Sequence, residues 1–218
     1  MQIEVSIPST LKEVKLKNYQ DFLLIENPNN DDLLKCILNI NTKELGKIKD
    51  KDVDYLINHI NNLFDKEHEF IPTFNLNGIA YGFIPNLDDI TYGENKDITS
   101  YINEWGNMHK AMAVLFRPIK QKQTHKYLIE DYEGSHKYSE VMKDMPLDVV
   151  LGSMVFFYNL TSELLNYIPS YLQEQAMKEQ TKGVISKGSG EVIQSYTHLL
   201  KQTSQDLKKL QNFRYTSV

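Results

Sequence analysis

Some residues of this chain have the types and spacing to do chemistry. Glu130, Asp131, Glu133, His136 and Glu140 gather carboxylates around one imidazole. Such a set could hold a metal ion or run acid–base hydrolysis, provided several groups close on one point with a second shell behind them. Here the acids flank Gly134-Ser135, a solvated loop entering a helix, so surface charge and capping are the favoured reading. Asp88 and Asp89 with Glu94 could form an acid pair with altered proton affinity, but turn and capping chemistry explains them more simply. His109 falls on an apolar helical stripe and reads as a hydrogen-bonded core histidine. Cys36 has nothing beside it in sequence that would lower its pKa and reads as a buried, inert thiol.

Gly183-Val184-Ile185-Ser186-Lys187-Gly188-Ser189 has the glycine spacing of a phosphate-binding loop. The lysine that should follow its second glycine is absent and no strand precedes it, so it reads as a flexible linker. Asn159-Leu160-Thr161 matches a glycosylation acceptor but falls within an expected buried helix. Most aromatics sit on apolar stripes, away from basic neighbours, which disfavours stacking on single-stranded nucleic acid. Lys201, Lys208, Lys209 and Arg214 give the terminal helix a modest basic face, read as a solvated one. No catalytic, cofactor-binding or metal-binding residue is assigned, and no cofactor or small-molecule substrate is expected.

The bulk composition fits that restraint. The chain has 218 residues, 41% hydrophobic and 24% charged, enough for one good-sized core. Its formal charge is 24 − 29 = −5, which disfavours a general nucleic-acid binder. The single cysteine allows no intrachain disulfide and suits a reducing compartment. The first residues carry no basic and apolar signal pattern, and the most apolar run, 149–160, is far short of the roughly 20 residues needed to cross a bilayer, so no membrane association is expected.

The elements that would position these residues follow from period and punctuation. Ile3, Val5 and Ile7 alternate up to Pro8-Ser9 and predict a short strand. A helix over 16–25 uses Tyr19, Phe22 and Leu23, closed by Asn27-Pro28. Asn30 or Asp31 caps a second helix with Leu33, Leu34, Ile37 and Leu38 inward. Asp50 or Asp52 caps a third, with Val53, Leu56, Ile57, Ile60, Leu63 and Phe64 on the 3.6 period. The period then becomes two. Phe70, Pro72, Phe74 and Leu76 lead to Asn77-Gly78, and Ile79, Tyr81 and Phe83 return on the same face in a type I′ hairpin. Gly82 predicts a bulge or a close backbone approach. Residues 86–93 read as a loop or short helical turn.

A long helix is predicted from Ile98, Ile102, Trp105, His109, Met112 and Phe116, ended by Pro118. A weaker β pair follows at 119–121 and 127–132. Pro146 opens another helix, apolar around most of its girth through Val149, Val150, Val155, Phe156, Phe157, Leu160, Leu164 and Leu165, ending at Ile168-Pro169. Residues 170–191 are polar and interrupted by Gly183, Gly188 and Gly190. Beyond them Ile193, Tyr196, Leu200, Thr203, Leu207 and Leu210 recur at 3, 4, 3, 4 and 3, the rhythm of positions that interlock with a neighbouring helix. The expected fold is α+β and predominantly helical: a compact domain over 1–168 with a small hairpin at Asn77-Gly78, then a polar linker and partner-docking helix over 169–218.

Three blocks also carry a likeness: Phe74-Asn75-Leu76-Asn77-Gly78 with Tyr81-Gly82-Phe83-Ile84-Pro85-Asn86-Leu87-Asp88-Asp89-Ile90; Met108-His109-Lys110-Ala111-Met112-Ala113-Val114-Leu115-Phe116-Arg117-Pro118-Ile119; and Met145-Pro146-Leu147-Asp148-Val149-Val150. Over roughly residues 70–168 the chain resembles a family of small virion-associated or assembly proteins encoded among the structural genes of tailed bacteriophages, the crAss-like phages in particular. The resemblance implies a virion or assembly context and carries no catalytic motif. It implies a non-enzymatic structural or cargo component near portal or tail, docking on other phage structural proteins or on copies of itself. The location would be the virion, and the host cytoplasm during assembly. The alternatives are a transient tail-assembly chaperone that does not stay in the particle and, less favoured, a hydrolase built on the acids around His136.

Overall fold

The computed structural model describes residues 5–122, 126–157 and 159–160. The fold is α+β and predominantly helical. Helices α1 (Leu16–Leu23), α2 (Asn30–Ile37), α3 (Thr42–Leu45) and α4 (Asp50–Phe64) come first. Their apolar stripes turn inward as the 3.6 period requires: Leu16, Tyr19 and Phe22; Leu33, Leu34 and Ile37; Leu56, Ile60 and Leu63 are all buried. Val5 and Ile7 lie outside any strand, so the expected first strand does not form within the described residues.

The caps differ from expectation by a residue or two. Asn29 caps α2: its Oδ1 accepts from Asp32 N at 3.0 Å, and Asp32 Oδ2 accepts from Asn29 N at 3.2 Å. This reciprocal box satisfies two amides that a helix start leaves open. Asn29→Ala should therefore cost about 1 kcal/mol, measured by urea unfolding. Lys49 precedes α4 without a side-chain cap, and Asp50 and Asp52 instead sit in its first turn, where the helix dipole favours negative charge. The short α3 was not foreseen; Asn41 and Glu44 form its capping box.

The hairpin forms as expected. Strands β1 (Thr73–Leu76) and β2 (Ile79–Phe83) pair Leu76 with Ile79 and Phe74 with Tyr81. Asn77 and Gly78 have φ of 52° and 79°, the double positive that a type I′ turn demands. Ile79 shares the inward register but is 47% exposed, because the turn end reaches past the core. Gly82 marks a close approach: a Cβ there would lie 2.5 Å from the Tyr127 ring, whose hydroxyl donates to the Phe83 carbonyl at 2.9 Å. Strands β3 (Phe116–Lys122) and β4 (Tyr127–Ile129) complete an antiparallel sheet in the order β1-β2-β3-β4.

The single long helix is two. Helix α5 (Tyr92–Tyr101) stops, a turn at Trp105–Asn107 intervenes, and α6 (Met108–Leu115) runs directly into β3. Asn103, Gly106 and Asn107 are poor helix residues, and Asn107 Nδ2 donates to Glu104 Oε2 at 2.6 Å inside the turn. Phe116 is lost from the helix because Pro118 drives residue 117 toward extended backbone and because Phe116 pairs with Phe83 on the sheet. Helix α6 is buried on nearly every side, including Met108, Ala111, Met112 and Leu115. Short α7 (Ser139–Met142) packs beside it.

Residues 147–157 are helical, with Pro146 standing just before them. The Pro146 carbonyl accepts from Val150 N at 3.4 Å, so proline occupies the boundary, where a missing N–H costs nothing. The start of α1 is stitched to this junction: Leu16 N donates to the Met145 carbonyl at 2.8 Å and Leu147 N to the Val14 carbonyl at 2.9 Å. The chain divides into the units Met1–Ser153 and Met154–Val218. In the second, the Phe156 and Phe157 rings meet edge-on at 5.5 Å. The expected linker, the glycine-rich 183–189 segment, the terminal basic face and the seam from Ile193 to Leu210 lie outside the described residues. Among the described residues, no helix is long and apolar enough to cross a membrane.

Candidate functional site

The acids around His136 do not converge. Lys137 Nζ donates to Glu130 at 3.0 Å and to Glu133 at 2.9 Å. Lys120 holds Asp131 at 2.8 Å and Lys143 holds Glu140 at 2.8 Å. The Tyr138 hydroxyl donates to Glu130. Three of these carboxyls are held below their usual range by a local donor: Glu130 by Tyr138 and then Lys137, Asp131 by Lys120, Glu140 by Lys143. A general acid needs the opposite shift. His136 is exposed. Among the described residues, no three or more His, Cys, Asp or Glu side chains are placed to hold a metal.

Asp88 and Asp89 do the work of a turn. Asn86 Oδ1 accepts from Asp88 N at 3.1 Å, and Asn86 Nδ2 donates to Asp89. Glu94 has left this group and is the most deeply buried acid of the described residues. Its Oε2 accepts from Thr91 N at 2.8 Å and from Thr91 Oγ1 at 2.7 Å. Its Oε1 meets Arg117 Nη2 at 2.6 Å, with side chains only 4% and 7% exposed. Burial pushes the Glu94 carboxyl up, but the Thr91 donors and the Arg117 guanidinium outweigh it and the net shift is down. Arg117 Cζ stands 5.5 Å from the centre of the Tyr132 ring. The Tyr132 hydroxyl donates to Asp97, and burial followed by that carboxylate raises the phenol's pKa. Arg117 Nε and Nη1 are buried with no hydrogen-bond partner. This network ties α5 to β3 and to the segment after β4.

His109 is a core histidine, as its place on the stripe implies. Its Nδ1 lies 3.1 Å from Gln20 Nε2, which also donates to the Trp105 carbonyl. Cys36 is half-buried, and burial, then the charges of Asp21 and Asp32, push its thiol up. That is the reverse of a nucleophile's environment. Asn159 is helical and exposed, and Thr161 lies outside the described residues.

Sequence reasoning missed the Glu94–Arg117 pair and the role of Gln20. Only the Thr91-x-x-Glu94 spacing of a capping box marked half of the first. Of the residues nominated for chemistry, Asp88, Asp89 and Glu94 are engaged in turn or capping bonds, Glu130, Asp131, Glu133 and Glu140 in ion pairs, and His109 in the core. Comparison with known proteins found no matching family model, no matching curated protein and no matching solved structure.

Proposed function

We propose that this chain works by docking: a non-enzymatic structural or cargo component of a tailed-phage particle, near portal or tail, held by its C-terminal seam. The observation that carries the reading is the spacing of Ile193, Tyr196, Leu200, Thr203, Leu207 and Leu210. On a helix, six positions at alternating threes and fours share one edge, the pattern that packs against a neighbouring helix. The partner is another structural protein of the particle or a second copy of the chain. The body supports this reading, because its conspicuous acids face lysines and amides of their own neighbourhood.

Replacing Leu200 and Leu207 together with Asp should abolish incorporation into particles while the near-UV dichroism of the body is retained. Incorporation at the wild-type level would overturn the docking claim. Mass spectrometry of purified particles supplies the second arm. A fixed copy number per particle is the expected result. Presence in infected cells with absence from the particle would replace it with the tail-assembly chaperone reading.

A further inference from the structure

The junction of α1, the Trp105 turn and α6 has a hydrogen-bond arrangement that tolerates only one charge state. Gln20 is buried in α1. Its amide nitrogen donates to the Trp105 carbonyl and lies 3.1 Å from His109 Nδ1. An amide nitrogen is donor only, so His109 Nδ1 is the acceptor and the ring is neutral, with its proton on Nε2. Protonation turns Nδ1 into a donor facing a donor. Flipping the Gln20 amide does not rescue it. The flip would give the imidazolium an acceptor, but it would also turn Gln20 Oε1 toward the Trp105 carbonyl, acceptor against acceptor. Either way a buried polar contact is lost.

We propose that this junction is an acid-sensitive latch, in which protonation of His109 breaks the Gln20 tie and loosens α1 from the Trp105 turn. The surroundings favour release. Helix α7 brings Lys143 and Glu140 near the ring, α6 itself contributes Lys110, α1 presents the neutral Gln20 amide and the turn its carbonyl. Burial first, then Lys143 and Lys110, hold the His109 pKa below its ordinary 6.5, with Glu140 opposing weakly. The unfolded or opened chain therefore binds the proton more readily than the closed one. The closed junction is fully stable above pH 6.5 and weakens as pH falls below it. Beside this tie, Tyr19 meets the Trp105 ring edge-on at 5.1 Å, and the indole Nε1 is buried with no partner.

Trp105 is the only tryptophan of the chain, so its fluorescence reads this junction alone. Full-length protein titrated from about pH 8 to about pH 5 should show a reversible one-proton change in Trp emission, with far-UV dichroism unchanged. The midpoint should lie below 6.5. His109→Gln should flatten that change. Lys143→Gln, on the surface, should raise the midpoint by a few tenths of a pH unit, because one repelling charge is gone and Glu140 is set free. This second variant carries the test if the first fails to fold. A flat wild-type titration, a transition unaltered in His109→Gln, or a midpoint indifferent to Lys143 would overturn the latch. The inference is independent of the docking reading.

Discussion

Glu94→Ala should destabilise the folded chain by about 3–5 kcal/mol, measured by urea unfolding, one of the two largest losses expected from a single side chain here. The reason is what the substitution leaves behind. Arg117 is buried and already has Nε and Nη1 without partners. Removing Glu94 takes away the carboxylate in contact with Arg117 and leaves a buried guanidinium without its ion-pair partner. It also opens the capping box of α5, since Thr91 N and Oγ1 both donate to Glu94 Oε2. Arg117→Met should be milder, because it removes the orphaned donors along with the charge and leaves an apolar stem of similar length against the Tyr132 ring. The double variant should lie well short of the sum of the two, since each single change strands a partner that the double does not. Added salt should alter the wild-type margin little at this pair, whereas the exposed Lys17–Asp21 contact at 2.9 Å is readily screened. The pair also sets an acid limit. The Glu94 carboxyl titrates below its ordinary 4.5, so its contribution is complete above that value and is lost as pH falls through the lower folded one. A loss below about 1 kcal/mol for Glu94→Ala would mean that water reaches the pair and screens it.

That pair also shows where reading from sequence stops. The hairpin was legible because Asn77-Gly78 is a local device: two residues with positive φ, flanked by a period of two, settle register without outside help. The faces of α1, α2 and α4 were legible for the same reason, since each stripe reports its own burial. The stripe from Ile98 to Phe116 misled because periodicity does not record breaks. Two helices kept the phase across the Trp105 turn, and Phe116 exchanged its helical place for a sheet partner, Phe83, contributed by a distant stretch of chain. Glu94 and Arg117 are likewise joined only in three dimensions, through the packing of α5 beside α6, which runs into β3. His109 was legible as a core residue. Gln20 was not legible as its partner, because nothing in α1 alone distinguishes a glutamine that will be buried.

Gly152→Ala should cost about 3 kcal/mol or more, at the upper end of what overpacking produces. Intrinsic helix propensity argues the other way by about 1 kcal/mol, because residue 152 is helical and alanine is the better helix former. Geometry decides the sign. A Cβ at Gly152 would lie 2.0 Å from the Glu69 carbonyl oxygen, 2.9 Å from its carbon and 3.4 Å from Phe70 Cα. These are backbone atoms, so no rotamer change relieves the clash and the 69–70 segment must move as a whole. That segment leads into β1. The Phe70 ring meets Phe83 edge-on at 5.0 Å, and Phe83 N donates to the Pro72 carbonyl at 2.9 Å, so the displacement is passed to the sheet. Gly46→Ala is the matched control. Gly46 closes α3 at φ −63°, and its nearest neighbour to an added Cβ is the Thr42 carbonyl at an ordinary 3.5 Å. There the substitution should be neutral or stabilising by about 0.5 kcal/mol, through the smaller entropy of the unfolded chain. If both variants unfold at the wild-type urea midpoint, the helix from residue 147 does not press on the 69–70 backbone, and the entry to the hairpin is set by the sheet alone.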